Sequence, residues 1–329
     1  MTGKTKKPAV KLVIGYKPNP GRLADLKLGI RAARVRLNVF CSPDREELRR
    51  ELRDADAYVP GWGNDLRHVL AEAGKLRWVQ LLSAGVDGLL IPELTRAGLI
   101  LTKGRGIHGI PMSEHAMGML LAVTRNLHRV RANQMKKVWS REQAEELFGK
   151  TLLVVGAGDI GTETAKRAKA FGMKVVGVSR SGRNIAKEYY SAVYGMKELA
   201  KAASEADVVL CLLPLTDETK GLLGGRIFNR MKPGTVFMNF GRGATVDTGA
   251  LISALRSGRV GTAILDVFEK EPLERRSPLW TMKNVFISPH MSGQTPRTME
   301  REFELVAENL RRFVAGRKLK NIVDIMKGY

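Results

Sequence analysis

Residues 152–178 place the hexapeptide Gly156-Ala157-Gly158-Asp159-Ile160-Gly161 between an apolar run, LLVV, and a helix-forming stretch, TETAKRAKAF, that returns to a second apolar run, KVVGV. A lone G-x-G-x-x-G carries little weight. At the strand-to-helix turn of a βαβ unit it becomes a strong constraint, because each glycine has its own task. Gly156 permits the tight turn, Gly158 lets a pyrophosphate approach the backbone, and Gly161 lets the helix pack on the strand. The helix N-terminus then offers unpaired N–H groups and a positive dipole end to phosphates. Such a turn predicts a doubly wound sheet that binds a dinucleotide at the carboxyl ends of its strands.

The rest of the chain agrees with that fold class. After the glycine turn, six strand-like runs alternate with helical stretches: TLLVVG, MKVVGV, VVLCLL, TVFMNF, TAILDVF and NVFISPH. An earlier series, VKLVIGY, RLNVF, AYVP, WVQLLS and LILTKG, repeats the pattern with charged helical stretches between. Both series read as parallel sheets covered by helices. The class is α/β, with two doubly wound parallel-sheet domains. The 329 residues suit about two domains. The first ends near residue 104. GIHGIPMSEHAMGMLLAVTRNLHRVRANQ reads as one long helix leaving it, and TMEREFELVAENLRRFVAGRKL as one amphipathic helix near the end.

Strand KVVGV ends in Ser179-Arg180-Ser181-Gly182-Arg183. About 20 residues beyond the glycines, a carboxylate would grip the ribose hydroxyls of NAD. Ser179 stands in its place and removes a charge that would repel a 2′-phosphate. Arg180 can pair with such a phosphate through two N–H groups, Arg183 adds charge, and the hydroxyls of Ser179 and Ser181 donate. The preferred cofactor is NADP(H), with NAD(H) as the alternative.

Three further strand ends carry chemistry. NFGRGATVD sets Arg242 after one buried strand, AILDVFEKEPL sets Asp266 at the end of the next, and NVFISPHMSG sets His290 beyond the last. Glu269 and Glu271 lie in the loop after Asp266. All share the edge where an open parallel sheet binds ligands. An arginine fork fits a substrate carboxylate and polarises the adjacent carbonyl. An imidazole gives or takes the alcohol proton, and a carboxylate behind it holds the ring. The predicted chemistry is reduction of a charged carbonyl compound.

In order, GxGxxG, N-x-x-RG-x-x-VD, LDVF-x-x-EP and PH-x-x-G resemble the D-2-hydroxyacid dehydrogenase family. LLSAGVDGL and SEHAMGMLL resemble its first-domain loop and connecting helix, so the likeness spans nearly the whole chain. The Ser-Arg-Ser ending and SPLW resemble the glyoxylate/hydroxypyruvate reductase branch. The resemblance implies that Arg242 binds the substrate carboxylate and carbonyl, that His290 is the general acid/base, and that Glu271 of the EP pair is its partner. It implies that Asp266 holds the nicotinamide amide, and that backbone N–H groups of Ala84, Gly85 and Val86 meet the substrate carboxylate. Leu213 and Pro214 would line the adenosine side, Thr219 would lie near the phosphates, and Phe240, Gly241 and Gly293 would complete the cofactor site. It also implies a flavodoxin-like substrate domain of 1–104 plus 297–329, a Rossmann cofactor domain of 105–296, a cleft between them, and a homodimer.

Composition bounds the alternatives. The two cysteines, Cys41 and Cys211, are too few for a disulfide framework. Apolar runs such as VVLCLLPL fall well short of the roughly 20 residues of a membrane span. Both point to a soluble protein of the cytoplasm. The formal net charge of +22 reads as a solvated basic surface. Its lysines and arginines are interleaved with acids, and no basic tract alternates with aromatics as a nucleic-acid platform requires. A nucleotide-sensing, corepressor-like scaffold and an NAD-dependent phosphoglycerate dehydrogenase are the competing readings. His108, Glu114 and His115 lack a ligand spacing, so no metal is expected. Trp62 and Trp280 are candidates for shaping the substrate pocket.

Overall fold

The computed structural model describes residues 9–18, 20, 21, 23, 36–61, 66–96, 98–180, 182, 186 and 188–325. The chain divides into two compact units, Met1–Ile107 with Pro296–Tyr329, and His108–Thr295.

The first unit holds a sheet of five parallel strands, β1 (Ala9–Ile14), β2 (Arg36–Cys41), β3 (Ala57–Val59), β4 (Trp78–Gln80) and β5 (Ile100–Thr102), in the order β2-β1-β3-β4-β5. That is the flavodoxin-like order. One face is covered by the helices Arg45–Leu52 and Leu66–Leu70, whose Leu48, Leu52, Val69 and Leu70 are buried with Val13, Tyr58 and Val79. The helix Pro296–Val314 covers the other face. Its Val306 and Leu310 pack with Leu12, Ile14, Val59 and Trp78. A buried polar chain fixes this helix to the sheet. Asn309 Nδ2 donates to Gln80 Oε1 at 2.8 Å, Thr102 Oγ1 donates to the same oxygen at 2.9 Å, and Trp78 Nε1 donates to Thr102 Oγ1 at 2.8 Å.

The second unit holds seven parallel strands, β6 (Thr151–Val155), β7 (Lys174–Ser179), β8 (Ala192–Gly195), β9 (Val208–Cys211), β10 (Thr235–Asn239), β11 (Val260–Leu265) and β12 (Val285–Ile287). Their order, β12-β11-β10-β9-β6-β7-β8, is the Rossmann order with one strand added beside β11. β6 and β9 are buried almost along their whole lengths, as strands covered on both faces must be.

Two expectations about secondary structure are corrected. β8 was not among the six expected strands. It is a four-residue edge strand, half-buried throughout, and a half-covered edge does not impose the continuous apolar run that marks its neighbours. The long helix after residue 105 is two helices, Gly109–Thr124 and Leu127–Met135. Asn126 separates them with φ 54°. Asparagine tolerates the left-handed region better than most residues because its short amide bonds locally, and here Asn126 Nδ2 donates to the Gln143 carbonyl at 2.9 Å.

One row of register crosses the second sheet. Val178, Val155, Cys211, Asn239, Leu265 and Ile287 are successive partners from β7 to β12. Among the described residues, Gly156, Arg180, Arg242, Asp266 and His290 follow their strands just beyond that row.

Candidate active site

The glycine turn follows β6. Gly156 has φ 105°, a conformation that side chains strain. A Cβ on Gly161 would stand 2.7 Å from the Gly156 carbonyl oxygen and 2.9 Å from Val154 Cγ1, so helix and strand approach too closely for any other residue. A Cβ on Gly158 would meet nothing within 4 Å; that side of the turn is open to a ligand. Ala157 is buried, and Asp159 and Ile160 open the helix Asp159–Ala170. The turn is tied to the end of β7, because the N–H groups of Gly156 and Ala157 both donate to the Val178 carbonyl, at 2.9 and 3.1 Å. Half-buried Ser179 and exposed Arg180 follow at once. Ser181, Arg183 and Trp62 lie outside the described residues.

Beyond β9, Leu213 is buried. The Pro214 carbonyl accepts the Thr219 hydroxyl at 2.7 Å, and Thr219 Oγ1 accepts the Thr216 N–H at 2.8 Å. Thr219 therefore closes the 214–219 turn.

Beyond β10, buried Asn239 shapes the segment that carries Arg242. Its Oδ1 accepts the Gly241 N–H at 3.1 Å and its Nδ2 donates to the Arg242 carbonyl at 3.1 Å. Thr245 Oγ1 donates to the same carbonyl at 2.6 Å. Phe240 is buried, and its N–H reaches the Cys211 carbonyl at 3.0 Å. Neither Asn239 nor Thr245 was singled out from the sequence. The signal was present in the asparagine of the N-x-x-R spacing, which puts a side-chain amide at the last strand position.

Beyond β11 and β12 the acid and the imidazole meet. His290 Nδ1 lies 2.7 Å from Glu271 Oε2, and Glu271 Oε1 accepts the Phe268 N–H at 2.8 Å. The rival acid Glu269 instead accepts the Thr248 hydroxyl, at 3.3 Å. With Nδ1 engaged, Nε2 is the ring nitrogen left to face a substrate.

Asp266 is fully buried. Its Oδ1 accepts Ser288 Oγ at 2.6 Å and the Met291 N–H at 3.0 Å, and its Oδ2 accepts the Ser292 N–H at 3.1 Å. A buried carboxylate is tolerable only when so bonded. Gly293 follows, packed beside His108. Exposed Trp280 donates its indole N–H to the Glu274 carbonyl at 3.0 Å.

Ala84, Gly85 and Val86 belong to the first unit, in the loop after β4, where Ser83 Oγ donates to the Gly85 carbonyl at 2.7 Å. Val86 is buried in that unit's core.

Comparison with known proteins identifies the family. The family model "D-isomer specific 2-hydroxyacid dehydrogenase, NAD binding domain" matches residues 117–292. The glyoxylate reductase of Aeropyrum pernix is 36% identical over 293 residues, which cover 86% of this chain and 87% of that protein. The D-3-phosphoglycerate dehydrogenase of Methanocaldococcus jannaschii is 33% identical over 286 residues, 85% of this chain but 54% of that protein, so the chain spans about half its length. The NADPH-dependent glyoxylate/hydroxypyruvate reductase of Sinorhizobium meliloti, solved with NADP and sulfate, superposes with a TM-score of 0.81 at 28% identity, covering 97% of this chain and 100% of that one. With its glycine turn, its strand-end arginine and its histidine–glutamate pair, the chain belongs to the D-isomer specific 2-hydroxyacid dehydrogenase family of NAD(P)-dependent oxidoreductases.

Proposed function

We propose that the protein is an NADP-preferring reductase of small 2-oxo acids of the glyoxylate and hydroxypyruvate type. The observation that carries this reading is the 2.7 Å pair of His290 and Glu271, on the same sheet edge as the open glycine turn. The dinucleotide, when bound, supplies or accepts a hydride.

The chain's residues divide the remaining work. Gly156, Gly158 and the first N–H groups of the helix Asp159–Ala170 hold the pyrophosphate. Ser179 and Arg180 receive a 2′-phosphate, because the sequence sets Ser179 where an NAD-binding carboxylate would repel it. Arg242 binds the substrate carboxylate with its fork and draws electron density from the neighbouring carbonyl. His290 delivers a proton from Nε2 to the carbonyl oxygen as negative charge develops there, and takes it back in the reverse direction. Glu271 holds the ring from behind, and the Phe268 N–H holds Glu271. The relatives named glyoxylate reductase and the NADP-bound neighbour support substrate class and cofactor alike.

The protein acts as a homodimer in this reading. The helix Leu127–Met135 has no buried residue, and Leu127, Val130, Met135, Val138 and Trp139 are all exposed. A nine-residue helix is marginal in water on its own, and apolar patches of this kind mark interfaces. A chain with only two cysteines, Cys41 and Cys211, suits a reducing, cytoplasmic setting. Among the described residues no helix is long and apolar enough to cross a membrane.

A steady-state assay of NADPH and NADH against a panel of 2-oxo acids, a phosphorylated one included, tests the reading. Turnover of glyoxylate or hydroxypyruvate with NADPH ahead of NADH is expected. No turnover with any short 2-oxo acid overturns the activity, and a strong NADH preference overturns the cofactor assignment.

A further inference from the structure

His290 sits in the left-handed region, with φ 51°. A non-glycine residue is strained there, and the conformation persists only where the surroundings over-determine it. The surroundings here are specific. The His290 N–H donates to the Asp266 carbonyl at 2.8 Å. The Asp266 carboxylate, fully buried, takes a side chain before His290 and two backbone N–H groups after it: Ser288 Oγ, Met291 N and Ser292 N. The histidine is thus bracketed by one acid.

Ser288 has a second neighbour. Its Oγ lies 3.1 Å from Nε2 of His115, on the helix Gly109–Thr124. The single hydroxyl proton of Ser288 points to Asp266 at 2.6 Å, so His115 must be the donor and must carry its proton on Nε2. The donors therefore run in one direction, from His115 to Ser288 to Asp266. The His115 ring also meets Phe240 edge-on, with centroids 5.5 Å apart, and Phe240 precedes Arg242 by two residues. One imidazole touches both the segment that carries His290 and the segment that carries Arg242.

We propose that His115 and Ser288 are positioning residues. Through Asp266 they hold His290 in its left-handed conformation, and through Phe240 they set its spacing from Arg242. The inference rests on the reading of His290 as the acid/base group. The chemistry needs the proton of one side chain and the fork of the other to converge on a single carbonyl, and a misplacement of about 1 Å can cost on the order of 100-fold in rate.

The test uses the full-length protein with Ser288→Ala, Ser288→Thr and His115→Phe, the last keeping a ring against Phe240. In Ser288→Ala, kcat for 2-oxo acid reduction is expected to fall roughly 10–100-fold, while NADPH binding measured by fluorescence quenching stays within about threefold. Ser288→Thr, which keeps the hydroxyl, should recover most of the rate. His115→Phe should lower kcat in the same direction and provides the answer if Ser288→Ala does not fold. Rates within twofold of the wild type for both Ser288→Ala and His115→Phe overturn the proposal. So does a parallel loss of rate, NADPH affinity and thermal stability, which would mark a purely structural role. A second readout does not need turnover. In a crystal structure of Ser288→Ala, the separation of His290 Nδ1 from Glu271 Oε2 should exceed about 3.5 Å, the outer limit of a hydrogen bond. An unchanged pair overturns the proposal. Absence of turnover in the wild type would overturn the assigned activity and leave this geometric outcome to decide the positioning claim.

Discussion

His290 Nδ1 stands 2.7 Å from Glu271 Oε2, and the carboxylate that holds it is itself held by the Phe268 N–H at 2.8 Å. The acid has one oxygen for the ring and one for the backbone, so ring orientation is set by the main chain between β11 and β12. Replacing His290 with Asn removes the proton carrier, and kcat should fall by about 100- to 10,000-fold, the usual worth of a general acid/base. Glu271→Gln keeps the shape of the side chain and should lose less. Stopped-flow or steady-state reduction of glyoxylate checks both; a rate within threefold of wild type for His290→Asn would refute the assignment.

Arg242→Lys keeps the charge but loses the planar fork. KM for the 2-oxo acid should rise by roughly 10–100-fold, the scale of a charge-assisted hydrogen bond, with KM for NADPH little changed. Kinetics with both substrates varied separate the two constants.

Arg180→Ala should weaken NADPH by about 10–100-fold, on the same scale, and leave NADH nearly unaffected. The ratio of kcat/KM for the two dinucleotides is the measurement. An unchanged ratio would assign the 2′-phosphate to other groups.

Glu302, on the helix Pro296–Val314, is buried, and burial pushes its carboxyl up to about 7. The folded state therefore keeps a proton that the unfolded chain releases near the ordinary carboxylate value of 4.5. In the window between these values the folded state binds more protons, so stability must fall as pH rises. The contribution is full below the unfolded value and lost above the folded one, and its size is of order 3 kcal/mol. Glu302→Gln should remove this part of the pH dependence. The difference in Tm between wild type and variant, followed from pH 4.5 to pH 8, is the check; equal slopes would show that Glu302 ionises freely.

Val130→Asp combined with Trp139→Ser puts a charge and a polar group in place of two exposed apolar side chains in residues 127–139. A fall in native mass from dimer to monomer by light scattering is expected. A monomeric wild type would rule the dimer out.

Much of the site was legible before the fold was seen, for a physical reason. Ligand-binding residues of a parallel sheet follow the strands directly, so an apolar run announces the place where chemistry begins. Arg242, Asp266 and His290 became candidates this way, and the glycine turn was readable because its sterics admit no substitute at Gly161. β8 and the break at Asn126 were not legible, since an edge strand needs little apolar patterning and a left-handed asparagine leaves no periodic trace. Asn239, Ser288 and His115 looked ordinary, because what matters about them is the partner each one finds.

From its residues alone this chain was committed to two parallel sheets, a dinucleotide turn, and an arginine, an acid and a histidine along one rim. Those features depend on apolar runs and local turn sterics, which neighbours in sequence decide. Tertiary structure chose Glu271 over Glu269 as the partner of His290, turned Asp266 inward to bracket the histidine, and brought His115 to Ser288 across 173 residues. Such pairings depend on strand register and helix placement to within an ångström or so, and a hydrogen bond tolerates no more.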